Sequence, residues 1–293
     1  MTITMRRLEQ PGPAAAERID SFEGTGVVCT FTLQRGLTLR EAIATPLQAA
    51  GIQSAAVVLG NVEFEPFQYV MPAFSNSPEH VAYYSDTFKP SGPMAIQMAN
   101  ATYGRRDGAP FLHCHALWLD AEGQQRGGHL VPTETVIAAP SMAQAWGLAN
   151  VAMQAEPDPE TNFTLFHPIA VEPAAALRPD GGPRIVVARI RPNEDLVESI
   201  EAVAKRHGMR NAIVRGSLGS IVGAEFENGD RVDDIATEIL VLDGRVSTDA
   251  SGDASTRLDI ALIDPHGDIH KGRLVRGRNA VLICFELVLE EIA

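Results

Sequence analysis

Apolar and polar positions along the chain lay out one order of elements twice. From Arg184 the chain reads RIVVARIRPNEDLVESIEAVAKRHGMRNAIVRGSLGS. Ile185 to Ile190 is an apolar run rich in β-branched residues, which predicts a strand. Asn193, Glu194 and Asp195 supply helix-start chemistry, and Leu196, Ile200, Val203 and Ala204 recur at the spacing of a helix with one buried face. Gly208 stands where such a helix ends on a left-handed residue. Near the start, CTFTLQRGLTLREAIATPLQAAGIQSAAVVLGN repeats strand, turn, helix, glycine and strand. Thr38 is the expected cap, Leu39, Ile43 and Leu47 the apolar stripe, and Gly51 the terminator. Pro46 inside that helix predicts a kink.

The two copies also end alike. HCHALWLDAEGQQRGGHL from His113 aligns without gaps on RLDIALIDPHGDIHKGRL from Arg257, with identities at Asp120/Asp264, Gly123/Gly267, Gly128/Gly272 and Leu130/Leu274. Between the copies a stretch rich in Pro, Asp and Glu closes on Pro-Asp-Gly-Gly-Pro, which reads as a linker over 172–183. The expected organisation is therefore an N-terminal extension (1–25), a first domain (26–171), the linker, and a second domain (184–293). Each domain is expected to be rich in strands with one principal helix, and each is of ordinary domain size.

The first ending carries candidate chemistry. His113 and His115 lie two apart in an alternating segment, so on a strand they share one face and Cys114 takes the other. Where His129 points depends on the turn. Asp120-Ala121-Glu122-Gly123 has the chemistry of a type I turn followed by a left-handed glycine, as does Asp264-Pro265-His266-Gly267. Such a loop pairs Asp120 with Gln124 and sets His115 opposite His129, with His113 diagonal on the same face at a cross-strand separation of roughly 4.5–5.5 Å. A two-residue loop would send His129 to the other face, and Gly127-Gly128 would also admit a bulge. In the second copy the equivalent positions are Arg257, Asp259 and Arg273, so an Asp259–Arg273 ion pair is expected where the first copy has imidazoles. Three neutral imidazoles with an open fourth position are the ligand count of catalytic zinc. Zinc fits imidazole best, with nickel, copper and iron as other divalent choices.

Composition narrows the function classes. Acidic residues outnumber basic ones 37 to 24, a formal charge of −13, with no run of Lys and Arg. That disfavours a protein whose main partner is a phosphate backbone. Three widely spaced cysteines form no disulfide framework, which suits a reducing cytoplasm. The first twenty-five residues contain no continuous apolar core, so neither a signal peptide nor a membrane anchor is expected.

With the repeat, the two helix-bearing starts and the HCH…GGHL ending in view, the chain resembles a tandem form of the plants-and-prokaryotes conserved (PPC) domain. In the second copy the resemblance extends to TEILVLDGRVS and RGRNAVLICFELVLEEI. It implies an α/β sandwich (α+β) on a mostly antiparallel sheet, assembly as a homotrimer, and metal on His113, His115 and His129. Plant members owe their DNA-binding label to an appended basic AT-hook, which this sequence lacks; RGRNA at 276–280 is only superficially similar.

Other candidates are weaker. Arg105 and Arg106, on the approach to the histidine strand, are candidates for holding an anionic group. His167 is a candidate cap of the site, although an ordinary strand-end histidine is the commoner case. Glu63, Glu65, Tyr83, Tyr84 and Asp86 lie in the irregular region before the histidine strand and offer proton-transfer partners. His80, His207, His266 and His270 are expected at surfaces and Cys114 in the core. GSLGS at 216–220 is too short for a phosphate loop and lacks its lysine. The expected function is a cytoplasmic zinc-dependent hydrolase or lyase acting on a small polar or carboxylated metabolite. The alternative is a non-catalytic, oligomeric, regulatory or DNA-associated module with structural histidines.

Overall fold

The computed structural model describes residues 5–172 and 181–292. The first copy contains β1 (Ile19–Leu33), α1 (Leu39–Ala49), β2 (Ser54–Phe64), β3 (Tyr69–Val70), β4 (Pro72–Phe74), β5 (Ala82–Tyr84) and β6 (Met94–Arg106). It continues with β7 (Ala109–Leu119), β8 (Gln125–Leu130), β9 (Ser141–Leu148), β10 (Val151–Pro157) and β11 (Thr164–Ala170). The second contains β12 (Arg184–Ile190), α2 (Leu196–Arg206), β13 (Asn211–Val214), β14 (Leu218–Ile221), β15 (Ala224–Glu225) and β16 (Arg231–Val232). It closes with β17 (Thr237–Thr248), β18 (Ala254–Ile263), β19 (Ile269–Arg273) and β20 (Val281–Glu291). Most of the expected linker, 173–180, lies outside the described residues.

Both helices begin on the expected caps. The Thr38 side chain accepts from the Glu41 amide while Glu41 reaches back to the Thr38 amide, a reciprocal capping box. The Asp195 side chain accepts from the Glu198 amide. Gly51 and Gly208 follow the helices at φ +65° and +62°, where a side chain would be strained. α1 is assigned helical through Pro46 as far as Ala49.

Among the described residues sixteen strands form one sheet, with the order β19-β18-β17-β13-β20-β12-β1-β9-β2-β6-β7-β8-β3 along its main path. Outward from the central β12–β1 pair, each copy lays down the same succession: its last main strand, the strand after its helix, then a three-strand meander. Strand β1 serves both sides. Its residues 19–25 pair with β12 and its residues 26–33 pair with β9, so the hydrogen-bond ladder runs unbroken from one copy into the other.

The sheet folds over so that β17 packs on β6 and β7, while β18 and β19 pack on β8. Strand alternation then separates three layers of core. Leu112, Cys114, Ala116 and Trp118 of β7 join Leu39, Ile43 and Leu47 of α1 in one cluster. Ile239 and Val241 of β17 join Leu196, Ile200 and Val203 of α2 in another. Leu117 faces the other way and meets Leu218, Leu240, Ala261 and Ile263 between the two sheet halves. The result is an α+β sandwich of two tandem copies, each a mostly antiparallel sheet packed with one main helix.

A buried charge cluster also ties the copies together. Asp158, after β10, pairs with Arg189 of β12 and lies 3.1 Å from Arg191, and neither Asp158 nor Arg189 has an exposed side chain. Burial alone would raise the Asp158 pKa, but Arg189, backbone donors and Arg191 outweigh it and hold the carboxylate below its usual range.

Candidate metal centre

The β7–β8 turn decides the register. Asp120 N donates to Gln124 O at 2.9 Å, Gly123 N donates to Asp120 O at 3.0 Å, and Gly123 sits at φ +76°. His115 therefore stands directly opposite His129. The second copy repeats the turn around Asp264 and Gly267, and there Asp259 faces Arg273 with a 2.9 Å hydrogen bond between them. The three imidazoles converge, with one ligand atom of each lying within 4.8 Å of the others.

Residues from the second copy complete the cluster. Glu286 on β20 accepts from His113 Nδ1 at 2.9 Å, and the Ile239 carbonyl on β17 accepts from His115 Nδ1 at 2.9 Å. Glu238 Oε1 lies 3.5 Å from both His115 Nε2 and His129 Nδ1. Glu238, Glu286 and His115 are buried.

These contacts fix the tautomers. A carbonyl only accepts, so His115 carries its hydrogen on Nδ1; the Glu286 carboxylate requires the same of His113. Both Nε2 atoms of the neutral rings then present lone pairs, and they face each other at 3.0 Å. Two lone pairs at that distance repel unless a cation stands between them. Without a metal a proton fills the role: burial opposes charge on His115, yet Glu238 and the Ile239 carbonyl raise its pKa overall. Burial would likewise raise Glu238, but His115 and His129 pull it well below the carboxylate range. Glu286 also falls below its ordinary value, because His113 outweighs burial. His129 is driven down to about 4, chiefly by burial, and so offers a neutral lone pair.

The donor set fits a divalent metal on a second count. His129 Nδ1 and Glu238 Oε2 are buried polar atoms without a hydrogen-bond partner, an arrangement that needs an explanation in a folded chain. A cation among His113, His115 and His129 would give His129 Nδ1 a partner. Glu286 and the Ile239 carbonyl stand where outer acceptors orient the imidazoles of metal sites.

The other candidate residues separate. Arg106 lines a cavity together with His113 and His129. Arg105 points to the other side of β6, where it bonds Gln53 beside Tyr103. His167 hydrogen-bonds Arg189 and belongs to the Asp158 cluster; burial, then Arg189 and Arg191, push its pKa down to about 4. Glu63, Glu65 and Asp86 are exposed. Tyr84 reaches the triad, its ring 5.0 Å from that of His129. Cys114 is buried, His266 is exposed, and His80, His207 and His270 are half-buried. Glu238 and Glu286 escaped the sequence reading. Their signal is a carboxylate set inside an otherwise apolar strand, TEILVL and CFELVL.

Comparison with known proteins places the chain in a family. The Plants and Prokaryotes Conserved (PCC) domain model matches residues 21–145 and again 178–293. Similar solved structures include a plant- and prokaryote-conserved protein from Pyrococcus horikoshii, 18% identical, covering 51% of this chain and 97% of its own, with a TM-score of 0.40. A metal-containing protein from Archaeoglobus fulgidus is 21% identical, covers 49% of this chain and 95% of its own, and has a TM-score of 0.39. A protein from Ralstonia eutropha with a provisional DNA-binding name is 16% identical over 47% of this chain and 89% of its own, with a TM-score of 0.36. No curated protein matches the chain. The family model covers most of both copies, and the chain belongs to the Plants and Prokaryotes Conserved domain family as a tandem pair.

Proposed function

We propose that the chain is a zinc-dependent enzyme of hydrolase or lyase type, acting on a small polar or carboxylated metabolite in the cytoplasm. The observation that carries the reading is the pair of Nε2 lone pairs facing each other at 3.0 Å, each fixed by an acceptor from the second copy. His113, His115 and His129 would hold the ion, with Glu238 beside them. When bound, zinc supplies Lewis acidity, which lowers the pKa of water or polarises a carbonyl.

The chain's own groups have separable roles. Glu286 and the Ile239 carbonyl keep hydrogens off the two Nε2 atoms. Glu238 can accept a proton from a substrate or from water beside the ion. Tyr84, whose ring lies 5.0 Å from that of His129, is a phenol donor in reach of the triad. Self-association as a homotrimer belongs to this proposal and is read by light scattering of the purified protein.

The test is metal content after purification without a His tag. Near-stoichiometric zinc in the wild type and none in a His113→Ala/His115→Ala double variant is the expected result. Absence of bound metal from both, after reconstitution with zinc, refutes the reading. The alternative, a DNA-associated module, requires tight duplex binding at moderate salt in a shift assay; the formal charge of −13 argues against that outcome. No helix among the described residues is long and apolar enough to cross a membrane.

A further inference from the structure

Two cavities meet at the triad. One, of about 50 Å³, has His113, His115 and Glu238 on its polar side and Pro72, Ala82, Ala236, Leu282, Ile283 and Cys284 among its apolar walls. The other, of about 250 Å³, runs from His113, His129 and Glu286 past Phe111 and Phe166 to Arg106. They share His113, Tyr84, Phe163 and Leu165 as lining residues. Arg106 is the one permanently cationic side chain among the residues lining either cavity. Its guanidinium lies 5.8 Å from the Phe111 ring centroid, and Phe111 is itself packed edge-on against Phe166 at 5.4 Å. Its nearest acidic neighbour, Asp107, is 3.8 Å away and almost fully exposed, a weak competitor for the charge.

We infer that this cleft binds an amphipathic monoanion: a carboxylic acid whose carboxylate lies on Arg106 and whose aromatic or branched apolar group packs against Phe163, Leu165 and Phe166 in the larger cavity. Glu238 and Glu286 put negative charge at the centre of the cleft, so among the chain's own groups Arg106 is the fixed cation that an anion meets at the far end of the larger cavity. Phe163, Leu165 and Phe166 give the larger cavity an apolar wall for the rest of the ligand. Arg105 has no part in this, since adjacent residues on a strand face opposite sides and its guanidinium is engaged by Gln53.

The inference deepens the metal-enzyme reading and rests on it only for the location of the reacting centre. Titration calorimetry on zinc-reconstituted protein tests it with three probes: 4-phenylbutyrate, the uncharged 4-phenylbutan-1-ol, and butyrate, which lacks the ring. 4-Phenylbutyrate is expected to bind at least about tenfold tighter than either of the others. Arg106→Gln, a change at a half-exposed side chain, is expected to bring the acid down to the affinity of the alcohol and leave the alcohol unchanged. Equal binding of acid and alcohol, an Arg106→Gln variant that binds the acid like wild type, or no binding of 4-phenylbutyrate at millimolar concentration overturns the inference. Failure of zinc to bind, with Arg106-dependent binding of the acid retained, would instead remove the metal reading alone.

Discussion

Replacing Glu286 with Gln tests the outer acceptor on which the tautomer of His113 depends. Glu286 is 3% exposed and its Oε1 lies 2.9 Å from His113 Nδ1. Glutamine keeps the shape but removes the charge, and half of its amide is a donor. To preserve the tautomer it must present its oxygen, exchanging a charge-assisted hydrogen bond of about 1.5–3 kcal/mol for a neutral one of about 0.5–1.5 kcal/mol. If it presents its NH₂ instead, the hydrogen of His113 moves to Nε2 and that ligand is blocked. The first outcome weakens zinc binding about tenfold; the second approaches the upper end of the 10–100-fold range for lost outer-shell partners. The assay is competition with a chromophoric zinc chelator, with a thermal melt of each protein to show that the fold persists. Wild-type zinc affinity in Glu286→Gln, alongside loss of zinc in His113→Ala, would refute the role given to Glu286.

Other perturbations read other parts of the molecule. Asp158→Asn leaves Arg189 and Arg191 without their buried counter-charge and is expected to cost about 3–5 kcal/mol in urea unfolding; a loss below about 1 kcal/mol would show that the cluster is not a structural lock. Gly127→Ala introduces a Cβ 2.7 Å from Ile263 Cγ1 and 3.0 Å from Ile269 Cδ1, and the overpacking between the sheet halves should lower stability by about 1–3 kcal/mol in thermal or urea melts. His167 stays neutral down to about pH 4 in the folded chain, whereas an unfolded imidazole protonates near pH 6.5. Between those values the unfolded chain binds the extra proton, so this contribution to stability is full above pH 6.5 and is lost as the pH falls to 4. Urea midpoints at a series of pH values should show a shallower decline over that window in His167→Gln than in wild type, and parallel curves would contradict the assignment.

The local parts of this structure were open to reading because their causes are local. Thr38 and Asp195 cap helices through side chains that reach three residues, and the Asp120–Gly123 turn sets a register that propagates by counting. The internal repeat added a control, since Asp259 and Arg273 occupy the same register with different chemistry. Glu238 and Glu286 were not read as site residues because their partners are more than a hundred residues away and meet them only when the sheet folds over. The clue was present as two carboxylates in apolar strands, but alternation alone does not say what they face. Arg105 and Arg106 show the complementary limit: the strand guarantees that they diverge, while only the packing of Gln53 and Phe111 decides which one meets the cleft.

The division of the candidate centre between the copies has a consequence for its assembly. The imidazoles come from the first copy and the carboxylates from the second, and one polypeptide carries both. Their meeting is intramolecular, with an effective concentration on the order of millimolar or above that dilution does not change. A centre of this kind stays complete at nanomolar protein, where one shared between separate subunits would come apart as the subunits dissociate. The same linkage frees each copy from supplying both halves of the chemistry, which accounts for Asp259 and Arg273 where the first copy keeps its histidines.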